Sequence, residues 1–229
     1  MQSAVPPPAP AWTIVALITV GLVVDQYLPL WGQPAVSVAA WALLLYAITR
    51  ATPVTRTALI VCVIYAALGE FVLSLVWGLY DYRACGIPLF VPPGHALLFT
   101  LGVTVAARLR NWVVAAIPLA AAPVVIALAW AGSDTLGPLL YTLLLICMAL
   151  NRARKLYAVM FMLALTMEIL GTALGNWRWH SEVPWLGLST LNPPLAAGAF
   201  YCVLDLLVVT TTRLLHRQPL LTQPAARSG

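Results

Sequence analysis

Charge is what this chain of 229 residues lacks most, because only 8% of them are charged and a soluble domain usually carries about 25%. With 62% hydrophobic residues and a mean hydropathy of +0.93, the chain has too few polar residues to cover its surface in water. Its apolar stretches do not alternate with period two, so they predict helices and not the strands of a membrane barrel. We therefore expect an all-α fold, a polytopic membrane helical bundle that forms a single transmembrane domain.

Other absences exclude several kinds of site. The net charge of +5 comes from scattered residues, without a basic stripe or interleaved aromatics, so nucleic acid is not an expected partner. Of four cysteines, three lie in apolar segments and Cys85 lies in a loop, which gives no disulfide framework and no closely spaced zinc pair. No nucleotide-binding loop and no ligand motif such as H-x-x-x-H occurs, so we expect no cofactor and no metal. The amino terminus lacks the positive region of a secretory signal, and we expect the first apolar segment to be retained.

The apolar runs predict eight membrane spans of roughly the length that crosses a bilayer. They lie near 11–30, 34–49, 57–77, 91–108, 111–130, 136–151, 156–175 and 193–212. The second and sixth spans are short, and Pro118 and Pro123 are expected to kink the fifth. A count of seven spans therefore stays open.

The basic residues separate by side when eight spans are drawn. Ten of the twelve fall on one side: Arg50, Arg56, Arg108, Arg110, Arg152, Arg154, Lys155, Arg213, Arg217 and Arg227. Arg83 and Arg178 fall on the other, with Asp81, Asp134 and Glu182. The positive-inside rule then places both termini in the cytoplasm of a bacterial inner membrane, with a flexible cytoplasmic tail over 213–229.

A pattern in the third span and its exit loop recurs in the seventh. Both copies contain a glutamate, a glycine, an aromatic-x-aromatic triplet, a proline and a Pro-Pro pair. The matches are Glu70 with Glu168, Tyr80 and Tyr82 with Trp177 and Trp179, Pro88 with Pro184, and Pro92 and Pro93 with Pro193 and Pro194. Four spans separate the copies, so a parallel repeat is expected, with half-repeats at 1–110 and 111–212. The alternative is that interfacial aromatics and helix-ending prolines produce the match.

Glu70 and Glu168 are the principal candidate catalytic residues, with His95 at the start of the fourth span. A carboxylate facing lipid at that depth costs about 2–3 kcal/mol, so both glutamates are expected to face the bundle interior. If they share a site, the pair holds one proton to give and has one place to accept a proton. A metal bound by these residues and His180 is the less favoured alternative, because the ligand spacing is absent.

Aromatic and polar residues near the same side are expected to bind a lipophilic small molecule. They are Trp77, Tyr80, Tyr82, Arg83, Trp177, Trp179, His180 and Asn192. Aromatic faces can stabilise a developing cation in such a cavity. The alternative is a polar clamp between helices, in which the glutamates bond to Tyr65, Thr166 or Thr172.

Two aspartates fall outside this set. Asp205 lies deep in the eighth span, and either Tyr201 with the threonines at 210–212 or a cation from another helix is expected to satisfy it. Asp25, at the outer end of the first span, is expected to be interfacial.

The order glutamate, glycine, Y-x-Y and a proline-rich segment, repeated with W-x-W, resembles the bacterial and archaeal integral membrane carotenoid-biosynthesis family that includes the bisanhydrobacterioruberin hydratases. The matching residues are Glu70, Gly78, Tyr80, Tyr82 and Pro88, then Trp177, Trp179 and Pro184. The resemblance implies hydration of an isoprenoid double bond.

Three functions stay open on the sequence alone. The first is an enzyme that acts by acid–base chemistry on an isoprenoid or other lipid entering from the bilayer. The second is an accessory or assembly subunit whose activity lies with a protein partner. The third is a proton-linked transporter, which the scarcity of ionisable groups in the inner halves of the spans disfavours.

Overall fold

The computed structural model describes residues 8–28, 30–84 and 86–216, which form eight helices and four short strands. The helices are α1 (Ala11–Tyr27), α2 (Gly32–Arg50), α3 (Pro53–Glu70), α4 (Val91–Arg108), α5 (Val113–Trp130), α6 (Gly137–Leu150), α7 (Arg154–Leu174) and α8 (Gly198–Leu215). A π-helical segment, Phe71–Val76, continues α3. Cys85 itself and most of the predicted tail lie outside the described residues; of the tail, 213–215 belong to α8.

The helix bounds follow the predicted spans except at two starts. α3 begins at Pro53, four residues earlier than predicted, because the Thr52 hydroxyl accepts the Thr55 N–H at 3.3 Å and proline fits the first helical position. α8 begins five residues later than predicted, at Gly198, because two adjacent prolines without N–H donors precede it. α5 runs unbroken through Pro118 and Pro123. The described residues therefore form eight separate helices, and neither proline ends the fifth.

Five helices are long and apolar enough to cross a membrane: α2, α3 with its π segment, α5, α7 and α8. The helices α1 and α6 are apolar but shorter. Large apolar side chains such as Leu119, Ile126 and Leu139 are more than half exposed on the outside of the bundle. An apolar exterior of this extent matches lipid as the surrounding medium.

Four helices form an inner ring. α3 packs on α4 and α8, and α7 packs on the same two helices from the opposite side. The remaining helices lie outside this ring, with α1 and α2 against α4 and with α5 and α6 against α7. Each inner helix therefore has one face toward the centre of the bundle, where polar side chains can be kept from lipid.

Four short strands close one end of the bundle, which we call the strand end. β1 (Tyr80–Tyr82) pairs antiparallel with β2 (Trp177–Trp179), in the register Tyr80 with Trp179, Asp81 with Arg178 and Tyr82 with Trp177. β3 (Glu182–Val183) pairs with β4 (Leu188–Ser189). The sequence predicted loops here, so the strands are an addition to the expected all-α fold. The first pairing joins the two aromatic triplets directly.

The opposite end, which we call the basic end, gathers the α2–α3, α4–α5 and α6–α7 connections. The Arg56 guanidinium donates to the Ile48 carbonyl, and Lys155 donates to the Leu109 carbonyl. Arg213, near the end of α8, donates to the Asn151 side chain at 2.9 Å. The eight basic residues from Arg50 to Arg213 that the sequence groups on one side belong to these segments.

Gly198 sets the close packing of α8 on α7. A Cβ at this position would lie 2.4 Å from the Phe161 carbonyl oxygen, a backbone atom that cannot rotate away. We expect Gly198→Ala to destabilise the protein by about 1–3 kcal/mol, the usual effect of overpacking, and to lower its melting temperature in detergent. In Gly69→Ala the new Cβ meets no atom within 4 Å, so this control should melt at or above the wild-type temperature. Equal melting of the two variants would contradict the packing.

Candidate functional site

Glu70 lies at the point where α3 changes into its π segment, with its side chain turned into the bundle. It is 6% exposed. Its Oε2 atom accepts two hydrogen bonds, from the Tyr80 hydroxyl at 2.8 Å and from the Tyr82 hydroxyl at 2.6 Å. The π segment brings the chain back at β1 so that both tyrosines of the first triplet reach the same carboxyl oxygen.

The two tyrosines remain protonated donors. Burial raises the pKa of Tyr80 and of Tyr82 well above the ordinary value, because a phenolate would lose its solvation, and the neighbouring Glu70 carboxylate raises both further. Their hydroxyls therefore stay available as hydrogen-bond donors to Glu70.

Glu168 on α7 has the corresponding environment in the second half of the chain. Its Oε2 accepts the indole N–H groups of Trp177 at 2.8 Å and of Trp179 at 2.9 Å. Its Oε1 accepts the Tyr201 hydroxyl at 2.9 Å. An indole nitrogen can only donate, so three donors converge on a carboxyl that acts as an acceptor at both oxygens. An ionised carboxylate can accept all three of these hydrogen bonds.

The indole of Trp177 reaches Glu168 because Gly171 leaves room on the surface of α7. A Cβ at Gly171 would lie 2.0 Å from the Trp177 ring. The ring therefore lies directly on the helix backbone, one turn beyond the glutamate.

His95 on α4 faces the free oxygen of Glu70. Its Nδ1 lies 2.9 Å from the Val91 carbonyl oxygen, which can only accept, so Nδ1 carries a hydrogen. Its Nε2 lies 3.5 Å from the Glu70 Oε1 atom. Because neither a bare nitrogen nor a bare carboxylate can donate, this contact is favourable only when the Glu70–His95 pair holds a proton. The His95 ring also stacks on Tyr201, with centroids 4.9 Å apart and planes 5° from parallel.

The two carboxyl environments form one layer. The Tyr80 ring packs against Trp179 at 4.7 Å between centroids, and Tyr82 meets Trp177 edge to face at 6.2 Å. The β1–β2 pairing therefore interleaves the residues that hold Glu70 with those that hold Glu168. The tyrosines that bond to Glu70 pack against the tryptophans that bond to Glu168, so the two sets of side chains hold each other in place.

Two cavities adjoin this layer, and both are lined by Glu70, Tyr80, His95, Glu168 and Tyr201. The first, which we call the inner cavity, has about 70 Å³ and is covered by side chains of α1 and α2. The second, the side cavity, has about 60 Å³ and lies between α3 and α8. One water needs about 10–15 Å³, so each cavity has room for several.

The side cavity is bordered only by the inner-ring helices and the segments that continue them at the strand end, among the described residues. Its rim consists of partly exposed side chains on α3, the π segment and α8, namely Tyr65, Leu73, Phe200 and Leu204. No described residue of an outer helix lines it, so its open side faces the surroundings of the bundle.

Four of the predicted binding residues lie away from the carboxyls. Arg83, His180 and Asn192 line a polar depression of about 620 Å³ at the strand end, which we call the vestibule. His180 contacts Asp81 at 2.9 Å, and the Asn192 side chain accepts the Trp179 backbone N–H. Trp77 instead donates to the Pro184 carbonyl and lines none of the three cavities.

Tyr82, Trp177 and Trp179 line the vestibule and also belong to the carboxyl layer. These aromatic side chains therefore separate the vestibule from the two cavities.

The partners expected for a simple polar clamp are elsewhere. The Tyr65 hydroxyl bonds to Thr211, while the Thr166 and Thr172 hydroxyls donate to carbonyls of their own helix. The glutamates bond instead to aromatic side chains that follow them by 9 to 12 positions, and to Tyr201.

The expected partners of Asp205 are wrong: neither of its oxygens has a hydrogen-bond partner among the described residues. Asp25 is buried at 2% exposure, with Arg83 at 3.3 Å and the Asn176 side chain at 2.8 Å.

Tyr201 belongs to the site, bonded to Glu168 and stacked on His95, although its helical spacing pairs it with Asp205 one turn away. Its place on the face of α8 that carries Asp205 is the sequence feature that indicates a buried side chain. No group of three His, Cys, Asp or Glu side chains within the described ranges is arranged to hold a metal ion.

Comparison of the chain with protein-family models, with curated proteins and with solved structures finds no match. The functional argument therefore rests on the geometry of the site.

Proposed function

We propose that this protein is an enzyme of the inner membrane that performs acid–base chemistry on a lipophilic substrate, an isoprenoid or another lipid. In this proposal all eight helices cross the bilayer as two tandem four-helix repeats. The matched environments of Glu70 and Glu168, joined through β1 and β2, support the repeat. The basic end faces the cytoplasm by the positive-inside rule, which puts the carboxyl layer in the outer half of the membrane.

The observation that carries the enzyme proposal is the unequal hydrogen bonding of two carboxyls around shared cavities. In the proposal Glu168, with three hydrogen-bond partners, acts as the base, and Glu70, with the His95 Nε2 atom 3.5 Å from its second oxygen, acts as the acid. Two carboxyls held in different environments at one site are the usual arrangement for acid–base catalysis.

Hydration of an isoprenoid double bond fits this arrangement, and the resemblance to the carotenoid-biosynthesis family points the same way. The Glu70–His95 pair gives its proton to one alkene carbon, whose π electrons form the new C–H bond. The cation on the other carbon is stabilised by the faces of aromatic rings that line the side cavity, such as Trp179 and Phe200. Water attacks that carbon, and Glu168 accepts the proton that the water loses. Return of this proton to the Glu70–His95 pair completes the cycle.

The substrate reaches the site from the bilayer through the side cavity, between α3 and α8. The rim of this cavity is apolar apart from the Tyr65 hydroxyl, and that hydroxyl is bonded to Thr211. A hydrocarbon chain can therefore enter without leaving a polar group unpaired. The small cavity volume, about 60 Å³, admits the end of such a chain and not a bulky head group.

The test is isotope incorporation by the purified chain in lipid nanodiscs. Isoprenoid alkenes of increasing length are incubated in D₂O and in H₂¹⁸O, and the lipids are analysed by mass spectrometry. We expect deuterium on carbon and ¹⁸O in a new alcohol from the same substrate. Absence of both labels from every alkene, with a folded protein, would contradict the proposal.

An accessory subunit is the second candidate, because the described contacts give three of the four glutamate oxygens a hydrogen bond at 2.9 Å or less. Such saturation is also what a rigid polar clamp between helices requires. In that case glutamine in place of either glutamate would change assembly with a partner. The wild-type protein itself would show no isotope incorporation. A transporter receives no specific support from the site, since both cavities are mainly bordered by apolar side chains.

A further inference from the structure

Asp205 lies in the middle of α8 and is completely buried. Neither of its carboxyl oxygens has a hydrogen-bond partner within the described part of the chain. A buried polar group without a partner is rare and requires an explanation. An ionisable residue in the interior of a membrane bundle commonly marks a route for ions or protons. The acid–base site uses Glu70 and Glu168 and leaves Asp205 without a role.

Asp205 shares one face of α8 with the carboxyl layer. Tyr201, Asp205, Val208 and Thr212 follow each other at spacings of four, three and four residues, and all four are buried. This spacing puts successive side chains 5–6 Å apart on one face of a helix. Tyr201 donates to Glu168, so Asp205 lies one turn from the acid–base site, in the direction of the basic end.

The stripe continues toward the basic end through two more unpartnered hydroxyls. Among the residues that the structure describes, the buried Oγ1 of Thr212, next to Arg213, has no hydrogen-bond partner, and neither does the hydroxyl of the fully buried Tyr157 on α7. The Cys202 thiol donates to the Tyr157 carbonyl at 3.3 Å, which holds this part of α7 against α8. Tyr157 lies within electrostatic range of both Asp205 and Arg213.

The other titratable groups around Asp205 come from every helix packed against it. They are Cys62 on α3, Cys147 on α6, Tyr157 on α7 and Cys202 on α8 itself. None is a cation, so an uncharged carboxyl is the form of Asp205 that costs least in this environment. The described thiols and Asp205 are not arranged to hold a metal ion. With an ion pair and a metal ligand excluded among these groups, the role left for Asp205 is that of a neutral acid that passes a proton along water and hydroxyl groups.

We infer that Asp205 takes up and releases protons in the middle of a proton path, which runs along α7 and α8 from the basic end to Tyr201 and Glu168. The path enters near Arg213, passes Thr212 and Tyr157, and reaches Asp205. It ends on the Tyr201 hydroxyl, which bonds to Glu168. No covalent step is involved, since each group takes one proton and releases one.

The experiment follows hydrogen–deuterium exchange of the Asp205 carboxyl by infrared spectroscopy on the full chain in nanodiscs, without substrate. The C=O stretching band that Asp205→Asn removes identifies the group. On transfer to D₂O we expect this band to shift while the protein stays folded. We expect Thr212→Val and Tyr157→Phe each to slow the shift by about tenfold, because each removes a hydroxyl that must form a transient hydrogen bond for the proton to pass.

Thr210→Val is the matched control, because Thr210 is exposed on the outside of α8; it should exchange at the wild-type rate. The hydroxyls removed in the two path variants have no partner in the described ranges, so a purely structural role predicts unchanged stability and unchanged exchange. Three outcomes would overturn the path: no Asp205 band, a band that shifts only on unfolding, or equal rates in all variants. Because no substrate is used, each of these is distinct from failure of the proposed hydration.

Discussion

Replacement of Glu168 by glutamine is expected to slow isotope incorporation into the isoprenoid substrate by about 10²–10⁴-fold. The amide oxygen of glutamine can still accept the two indole N–H groups, and its NH₂ can donate to the Tyr201 oxygen, so the local packing is kept. What is lost is the carboxylate that takes the proton from the attacking water. General-base catalysis contributes about 10²–10⁴-fold, and kcat should fall by an amount in that range.

Glu182→Gln provides the matched control for this experiment. Glu182 is the third glutamate of the chain and is exposed on β3, so its substitution changes the net charge by the same amount without touching the site. This variant should retain the wild-type rate. Activity of Glu168→Gln within a few fold of Glu182→Gln, at equal melting temperature, would show that Glu168 is not the base.

Substitution of Gly69 by leucine is expected to close the side cavity and to impair substrate entry. Gly69 lines that cavity, and an added Cβ meets no atom within 4 Å, so a larger side chain extends into free space without backbone strain. We expect kcat/KM to fall by about 10- to 200-fold, the range for a change of side-chain size in an apolar pocket. The measurement is the initial rate of ¹⁸O incorporation at several substrate concentrations.

Ala67→Leu is the control, since Ala67 lies on α3 but is exposed outside the bundle and lines no part of the cavity. It adds the same side chain to the same helix and should leave the rate unchanged. If Gly69→Leu were as active as Ala67→Leu, the substrate would have to reach the carboxyls by another route, such as the vestibule.

The helical framework was predictable from the sequence because a bilayer requires long apolar segments with few charges. Six of the eight helix starts lie within two residues of the predicted spans, and the starts of α3 and α8 differ by four and five residues. The start of α8 was missed because the residues after Pro193 are as apolar as a helix, so composition alone gives no boundary there.

The sequence indicated most residues of the carboxyl layer, but it did not indicate which of them form hydrogen bonds with each other. The spacing of Glu70 and Glu168 within their spans indicated interior positions, and both are at most 6% exposed. The partners follow from a π segment and a strand pairing that have no periodic signal in so short a stretch. Tyr82 and Trp177, expected to contact a ligand, also hold the carboxyls in place.

Tyr201 shows why the assignment of buried polar residues needs the fold. Asp205 is its neighbour at one helical turn, and local spacing favoured that pair. The ring instead stacks on His95 from α4 and donates to Glu168 from α7. Neither contact is visible without the packing of the four inner helices.

Photoaffinity labelling tests the central claim most directly, namely that a lipophilic substrate reaches the carboxyl layer between α3 and α8. An isoprenoid with a diazirine near its reactive end is equilibrated with the protein in nanodiscs, irradiated, and located by peptide mass spectrometry. The account predicts labels concentrated on the rim of the side cavity, at Tyr65, Leu73, Phe200 and Leu204, and their loss in Gly69→Leu. Labels spread evenly over the lipid-facing surfaces of α5 and α6, and unchanged in that variant, would contradict it.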